Sequence, residues 1–384
     1  MNGSAPQTVL VAGGGIGGVA TANRLRRRLP RRHRVVLINR EADFRFEASY
    51  LWVMSGARRP AQVTRPLDGL RRRGVEVVIG TVTGLDPSER SVAVDGRSVS
   101  GDHLVVSLGA EWASDRVPGL AEHGHTFATL AGASRLAREL ERFDAGRVLV
   151  VTASPLYKCP AAPYEAALLI DAGLRKRGVR SRVQVAVRSA EPAPMPVAGP
   201  SVSAAVEQLL VSRGIEYRSG TQITAVEPRS ASFGESSEEF DLLVYMPPIR
   251  SPHVVASSAL AADDGWVHAD PSGLTTSFEG VYAIGDNTHI ILRNGKPLPR
   301  AGVFAHRQAH AVADTIAASI SGRPETSSFD GHGGCFVETG GGRAAYGAGN
   351  FYAEPAPAVT LKPPSRLWHL GKVGFELLAM RRWL

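Results

Sequence analysis

The chain has 384 residues, enough for two or three domains and a large apolar core. Hydrophobic residues make up 43% and charged residues 21%, the balance of a globular protein rather than a disordered or fibrous one. The net charge is +8, and much of the basic excess is arginine in short clusters: Arg26-Arg27-Arg28, Arg31-Arg32-Arg34 and Arg71-Arg72-Arg73. The plain reading of these clusters is solvated helix ends and loops. A sharper reading is attraction to anionic lipid or to an acidic partner. Nucleic acid is excluded as a partner class, because no nucleic-acid motif accompanies the charge.

No secretory leader precedes the first apolar run, and no stretch approaches the roughly 20 apolar residues of a membrane span. The expected location is the cytoplasm, either free or peripheral on the cytoplasmic face of a membrane. The 2 cysteines, Cys159 and Cys335, lie far apart in the sequence. They form no disulfide scaffold, no CxxC motif and no local metal motif, so no metal site is expected. Taken alone, such a pair reads as two inert buried thiols.

The first apolar strand, Thr8-Val9-Leu10-Val11-Ala12, runs into Gly13-Gly14-Gly15-Ile16-Gly17-Gly18. Gly13, Gly15 and Gly18 have the G-x-G-x-x-G spacing, a helical stretch follows to about residue 29, and a second apolar strand spans residues 34–39. In this strand–helix–strand context the glycines predict a pyrophosphate cradle at a helix N-terminus. Asn39 stands where an acidic residue would bind the ribose hydroxyls; it can still hydrogen-bond but brings no charge. Residues 75–107 read as short β-runs with Asp95-Gly96 as a hairpin turn. A buried strand then runs through Val105 and Val106 to Gly109, and a domain crossing is expected near residues 112–118.

Residues 147–178 read as a buried strand, a loop and a helix over about 163–176, with Pro163 in the first turn and Gly178 after the basic end. A nucleotide-binding turn would carry glycines at this place. This turn carries Lys158-Cys159-Pro160 instead. A thiol before a helix N-terminus and beside a lysine sits where thiolate is favoured. Alternating strands and helices over residues 130–212 imply a second doubly wound unit, and 241–245 read as a strand leaving it. An apolar strand ending in Gly285-Asp286 puts a carboxylate near the nucleotide crevice. A helix spans about 303–320. Glycine-punctuated strand sequence over 331–348 contains Cys335, and residues 355–364 read as a proline-rich connector. The last helix begins at Arg366 and presents Leu367, Leu370, Val373, Leu377, Leu378 and Trp383 at helical spacing. That surface is expected to pack on the body of the protein; docking into a membrane interface is the alternative.

Six segments carry a resemblance. They are 13–18, 105–110, Lys158-Cys159-Pro160-Ala161-Ala162-Pro163-Tyr164-Glu165, Tyr282-Ala283-Ile284-Gly285-Asp286-Asn287, Gly334-Cys335-Phe336-Val337-Glu338-Thr339-Gly340, and 368–376. The chain resembles the flavoprotein disulfide reductases with two dinucleotide domains. Within them it is similar to the sulfide:quinone oxidoreductases and to the flavin subunits of flavocytochrome c sulfide dehydrogenases. The resemblance implies an α/β fold of two Rossmann-like domains plus a small C-terminal α+β region. It divides the chain into a discontinuous FAD-binding domain (1–112 and 242–322), a second Rossmann-like domain without the NAD glycine motif (113–241), and a C-terminal region (323–384).

It further implies FAD held non-covalently, with Asp286 on the ribityl chain and Gly13, Gly15, Gly18, Asn39, Gly109 and Gly285 lining the cofactor. Cys159 and Cys335 match a redox-active disulfide, and Glu165 matches a proton carrier; Cys335 is expected nearest the flavin. Many relatives carry a third cysteine where this chain has Ala128. With both cysteines assigned, no covalent link to FAD is expected. Membrane-bound relatives continue past the last helix, whereas this sequence stops at Leu384, which predicts weak anchoring. The implied reaction oxidises sulfide to polysulfide or sulfane sulfur and passes electrons through FAD to a quinone. Three other readings stand beside it: a soluble flavoprotein acting on another thiol or persulfide with a different acceptor, a type II NADH dehydrogenase-like enzyme, and a redox sensor without turnover.

Overall fold

A computed structural model describes residues 5–324 and 327–384. The first domain is built from β1 (Thr8–Ala12), α1 (Ile16–Arg28), β2 (Arg34–Asn39), α2 (Tyr50–Met54), β3 (Glu76–Ile79) and β4 (His103–Val106). The second contains α3 (Leu130–Arg142), β5 (Gly146–Thr152), α4 (Ala162–Lys176), β6 (Val183–Arg188), α5 (Pro200–Val211), β7 (Glu216–Arg218) and β8 (Leu242–Met246). The chain then returns to the first domain with β9 (Val281–Ala283) and α6 (Gly302–Ile320). It finishes in β10 (His332–Gly340), β11 (Arg343–Asn350), β12 (Ala358–Ser365) and α7 (Arg366–Arg382).

The strands of the first sheet run in the order β9-β4-β1-β2-β3, all parallel. β1 is apolar at every buried position because the sheet is covered on both faces: Val9 and Val11 enter one core, Leu10 and Ala12 the other. α1 packs along α6 on one of these faces. The predicted hairpin is present between Ser91–Val94 and Arg97–Ser100, with Asp95 and Gly96 both at positive φ as a type I′ turn requires.

The second sheet is also parallel, in the order His125–Thr126, β8, β5, β6, β7. β8 pairs with β5 along its whole length, from Val148↔Leu242 to Thr152↔Met246. Residues 242–246 therefore belong to the second domain, not to the returning segment of the first as expected. The return falls at Pro247-Pro248, and Glu111–Trp112 pairs with Ile249–Arg250 where the two crossings run side by side.

The C-terminal region is a three-stranded antiparallel sheet, β10-β11-β12, laid against α4 and crossed by α7. Its third strand corrects the sequence reading, in which 355–364 was a connector. β12 is an edge strand, paired only with β11, and Pro363 and Pro364 fall where the register shifts between Tyr346↔Lys362 and Ala344↔Ser365. Proline is tolerated there because no ladder hydrogen bond is asked of it.

α7 faces the opposite way from the expectation that its leucines pack on the body. Leu367, Leu370, Leu377 and Leu378 are 50–68% exposed, whereas Lys372 and Glu376 are buried together with Ala379, Met380 and Trp383. The polar face is buried because it is paired. Glu376 accepts from Ser49 Oγ at 2.6 Å and from both Arg58 Nε and Nη2 at 2.9 and 2.8 Å. Removing one partner of a buried pair leaves an uncompensated charge. Glu376→Ala should therefore lower stability by about 3 kcal/mol, while Leu377→Ser should change it by less than about 0.5 kcal/mol, as at other exposed sites. Urea unfolding of both variants checks this; a leucine variant more damaged than the glutamate variant would contradict it.

Candidate active site

Two structures meet along the edge of the first domain: a glycine crest and a pair of thiols. The crest is the turn between β1 and α1. Gly13 lies at φ +105, and a Cβ on it would fall 2.2 Å from the Ser107 carbonyl oxygen. A Cβ on Gly18 would fall 1.8 Å from the Gly13 carbonyl oxygen, so only glycine lets α1 sit this close to the turn. Gly15 faces open space. It is the N-cap of α1, which has no side-chain cap and no acidic residue in its first turn. The unsatisfied N–H groups of that turn are left for an anion. Asn39 braces the crest: its Oδ1 accepts from Gly14 N and its Nδ2 donates to Glu41 O, both at 2.8 Å.

Across the groove, Gly109 and Gly285 both take positive φ, their N–H groups donating to Asn287 Oδ1 and Gln308 Oε1 at 3.2 and 2.7 Å. Asp286 is partly buried, with burial raising its pKa and Lys158 opposing that. Lys158 Nζ stands 3.8 Å from Asp286, 3.4 Å from Glu47 and 4.3 Å from the centre of the Trp112 ring. Arg300 lies over Trp266, with its Nε donating to the Asp286 carbonyl and its Nη2 buried without a partner among the described residues. Desolvation lowers Arg300 to about 10. An uncapped helix end, an orphaned guanidinium nitrogen and a carboxylate are the donor and acceptor set that a dinucleotide's phosphates and polyol need. The residues present fit such a group.

The thiols come from different segments. Cys159 is fixed before α4 at φ +56, its N–H donating to Arg300 O at 2.7 Å and its carbonyl accepting from Ala162 N at 2.9 Å. Cys335 sits on β10, opposite Gly347. The two residues before it are glycines because β10 approaches its neighbours closely: a Cβ on Gly333 would lie 2.4 Å from Phe304, and one on Gly334 2.6 Å from the Tyr346 hydroxyl. Both cysteines are free thiols, and each perturbs the ionisation of the other. They line a mainly apolar cavity of about 110 Å³ with Tyr157, Met195 and Phe304.

Beside them lies a buried ion pair that the sequence reading missed. Lys372, from α7, bonds to Glu165, on α4. Glu165 is pushed up to about 7 by desolvation, against the pull of Lys372. Burial opposes the Lys372 charge, but Glu165 and Glu338 outweigh it and its pKa is raised. Glu338 in turn holds His369 Nδ1 at 3.0 Å. The interaction between the two sulfurs pushes the Cys159 thiol up, with burial adding to it, and pulls Cys335 down. Burial opposes a thiolate on either sulfur, and Lys372 favours one on both. Lys158 turns away towards Glu47 and Asp286, and Lys372 supplies the nearby cation instead.

Glu191, just after β6, is buried and accepts from Tyr157 and Tyr164 hydroxyls and from Thr152 Oγ1. Elsewhere, Asp264 accepts from His268 and His289 on the outer face of the first domain, a cluster not read from the sequence.

The architecture is that of a two-dinucleotide-domain protein in which two sequence-remote thiols meet. The chain belongs to the pyridine nucleotide-disulphide oxidoreductase family, whose profile matches residues 7–309, and membership implies a flavin cofactor. It is 26% identical to the sulfide-quinone reductase of Aquifex aeolicus, over 96% of this chain and 89% of that one. It is 24% identical to the mouse mitochondrial sulfide:quinone oxidoreductase, over 90% and 79% of the respective chains. The X-ray structure of the Aquifex aeolicus sulfide:quinone oxidoreductase superposes with a TM-score of 0.88 over 98% of this chain and 92% of that one, at 24% identity, and so shares its fold.

Lys372 favours the thiolate form of both sulfurs. In the reduced protein, Lys372→Met should move the first rise of thiolate ultraviolet absorbance to higher pH by at least about one unit. An unmoved titration would remove Lys372 from the electrostatics of the couple.

Proposed function

We propose that this protein oxidises sulfide to sulfane sulfur through a Cys159–Cys335 disulfide and delivers the electrons to a quinone by way of non-covalently bound FAD. The observation that carries the reading is the meeting of two sequence-remote thiols beside the Lys372–Glu165 pair. The sulfide:quinone enzymes among its relatives support the choice of substrate and acceptor.

Hydrosulfide attacks one sulfur of the disulfide; the S–S bond breaks, one cysteine keeps a persulfide and the other leaves as thiolate. Lys372 stabilises that thiolate. Glu165 takes up the proton released at the sulfurs, its raised pKa suiting it to exchange protons near neutrality. When bound, FAD supplies the two-electron acceptor between the sulfurs and the quinone. The sulfane sulfur passes to a second nucleophile. With sulfide in that role, two hydrosulfide ions give one HSS⁻, one proton and two electrons. Both cysteines serve the couple, which supports a non-covalent cofactor.

Two further features bear on partners. The exposed leucines of α7 support peripheral contact with a membrane, where a quinone would be met. The hydroxyls of Tyr157 and Tyr164 occupy Glu191, the acid that would otherwise be free for a nucleotide ribose, which speaks against NADH as reductant.

Stopped-flow mixing tests the proposal. Sulfide should bleach the flavin and a quinone analogue should restore it, whereas micromolar NADH should reduce it slowly. Cys159→Ser and Cys335→Ser should each abolish bleaching while keeping FAD. Retained bleaching in both variants would remove the disulfide from the mechanism, and rapid reduction by NADH would favour the type II dehydrogenase reading. At saturating sulfide, kcat should rise with pH through about 7 as Glu165 ionises, and Glu165→Gln should flatten that rise. An unchanged profile would take the role from Glu165.

A further inference from the structure

Where the end of α1 meets the end of α7, the surface opens into a cavity of about 730 Å³ lined by Asn23, Arg26, Arg27, Arg73, Arg381 and Arg382, with Leu378 at its edge. Five guanidinium groups share one hollow, and none of them makes an ion pair among the described residues. Arg26 donates to the carbonyls of His33, Leu29 and Pro30, and Arg73 to Asn23 and to the backbone oxygens of Arg382 and Leu384. These two are held in place by main-chain oxygens and the Asn23 amide. Asp314 is already taken by Arg24 and Arg28. The charges therefore repel one another: Arg27 and Arg72 add to burial in lowering the pKa of Arg73. Five guanidiniums with no Asp or Glu side chain paired to them among the described residues carry an electrostatic cost, which an anion placed in the hollow would relieve.

The identity of that anion follows from the neighbouring surface. Leu378 belongs both to the cavity and to the outward row of Leu367, Leu370 and Leu377. A ligand filling the hollow would continue over exposed leucine side chains. Guanidinium forks match phosphate oxygens in pairs of hydrogen bonds, and the leucines match acyl chains. We propose that this cavity binds the phosphate headgroup of an anionic phospholipid, so that α7 docks on membranes rich in such lipids with its arginines on the headgroups and its leucines among the chains. The site rests on the peripheral membrane contact proposed above, and is independent of the sulfide chemistry.

Flotation of the flavin-loaded protein with two kinds of vesicle tests this. One kind is phosphatidylcholine alone, the other an equimolar mixture with phosphatidylglycerol. The wild type should prefer the anionic vesicles. The triple variant Arg27→Gln, Arg381→Gln, Arg382→Gln should bind them about 100-fold more weakly. A control triple with the same charge change at the exposed Arg97, Arg218 and Arg229 should keep the preference. Urea unfolding confirms that each variant is folded, and turnover with a water-soluble quinone analogue should be unchanged in both triples.

Equal loss in the two triples would reduce the effect to net charge and overturn the site. Equal binding of the wild type to both vesicles would leave the leucine contact standing without the cavity. Binding of inorganic phosphate by calorimetry, lost in the first triple only and without any vesicle preference, would assign the hollow to a soluble anion. No flotation with either vesicle would overturn the membrane contact and this site together, and sulfide turnover with the soluble quinone analogue would show that the chemistry survives.

Discussion

The pair between Lys372 and Glu165 ties the last helix to the helix behind Cys159, and it sits beside both sulfurs. An ammonium and a carboxylate taken out of water must be matched to each other or they unfold what holds them. Here the match crosses the whole C-terminal region: Lys372 is on α7, Glu165 on α4, and Cys335 on β10, which packs between them. The cation lowers the cost of a thiolate, and the carboxylate raises it.

That requirement explains the reversed polarity of α7. To bring Lys372 inward, the helix must also bring inward the residue one turn on, Glu376, and it turns His369 towards Glu338. Each finds a partner: Arg58 and Ser49 for Glu376, Glu338 for His369. The leucines on the other side are then left in solvent. A polar, ion-paired interior and an exposed apolar exterior are two faces of one helix. The arginine hollow lies at the end of the same helix, continuous with the exposed leucines through Leu378.

The two dinucleotide domains have been used differently. In the first, glycines at 13 and 18 leave a turn so tight that any side chain would collide with backbone. In the second, the equivalent turn carries Cys159, held in a left-handed conformation by the carbonyl of Arg300. Tyr157 and Tyr164 donate their hydroxyls to Glu191, so that acid is held by the protein itself. A fold position suited to a pyrophosphate has become the platform for one sulfur, and β10 brings the other.

Much of this was legible in the sequence where the signal is local. The glycine spacing, the apolar strands buried on both faces, the Asp95-Gly96 hairpin and the helix behind Cys159 each depend on a few adjacent residues, and each is found as read. What was misread depends on residues far apart. Leucines at helical spacing suggest a core, and only Glu165, Glu338 and Arg58 reveal that α7 is turned the other way. Pro363 and Pro364 read as a connector because nothing local shows a bulge in the partner strand. Leu242–Met246 read as leaving a domain because its partner, β5, lies far upstream. Lys158, adjacent to Cys159 in the sequence, turns to Asp286 and Glu47, and the cation beside the sulfurs comes from Lys372, far downstream.

The most direct test of the account is peptide mapping of the oxidised, unreduced protein by mass spectrometry, before and after one anaerobic turnover with sulfide. The account predicts a cross-linked pair of peptides containing Cys159 and Cys335, replaced after turnover by one of them carrying an added sulfur. Two unlinked peptides before turnover, with no sulfur gained after it, would contradict it.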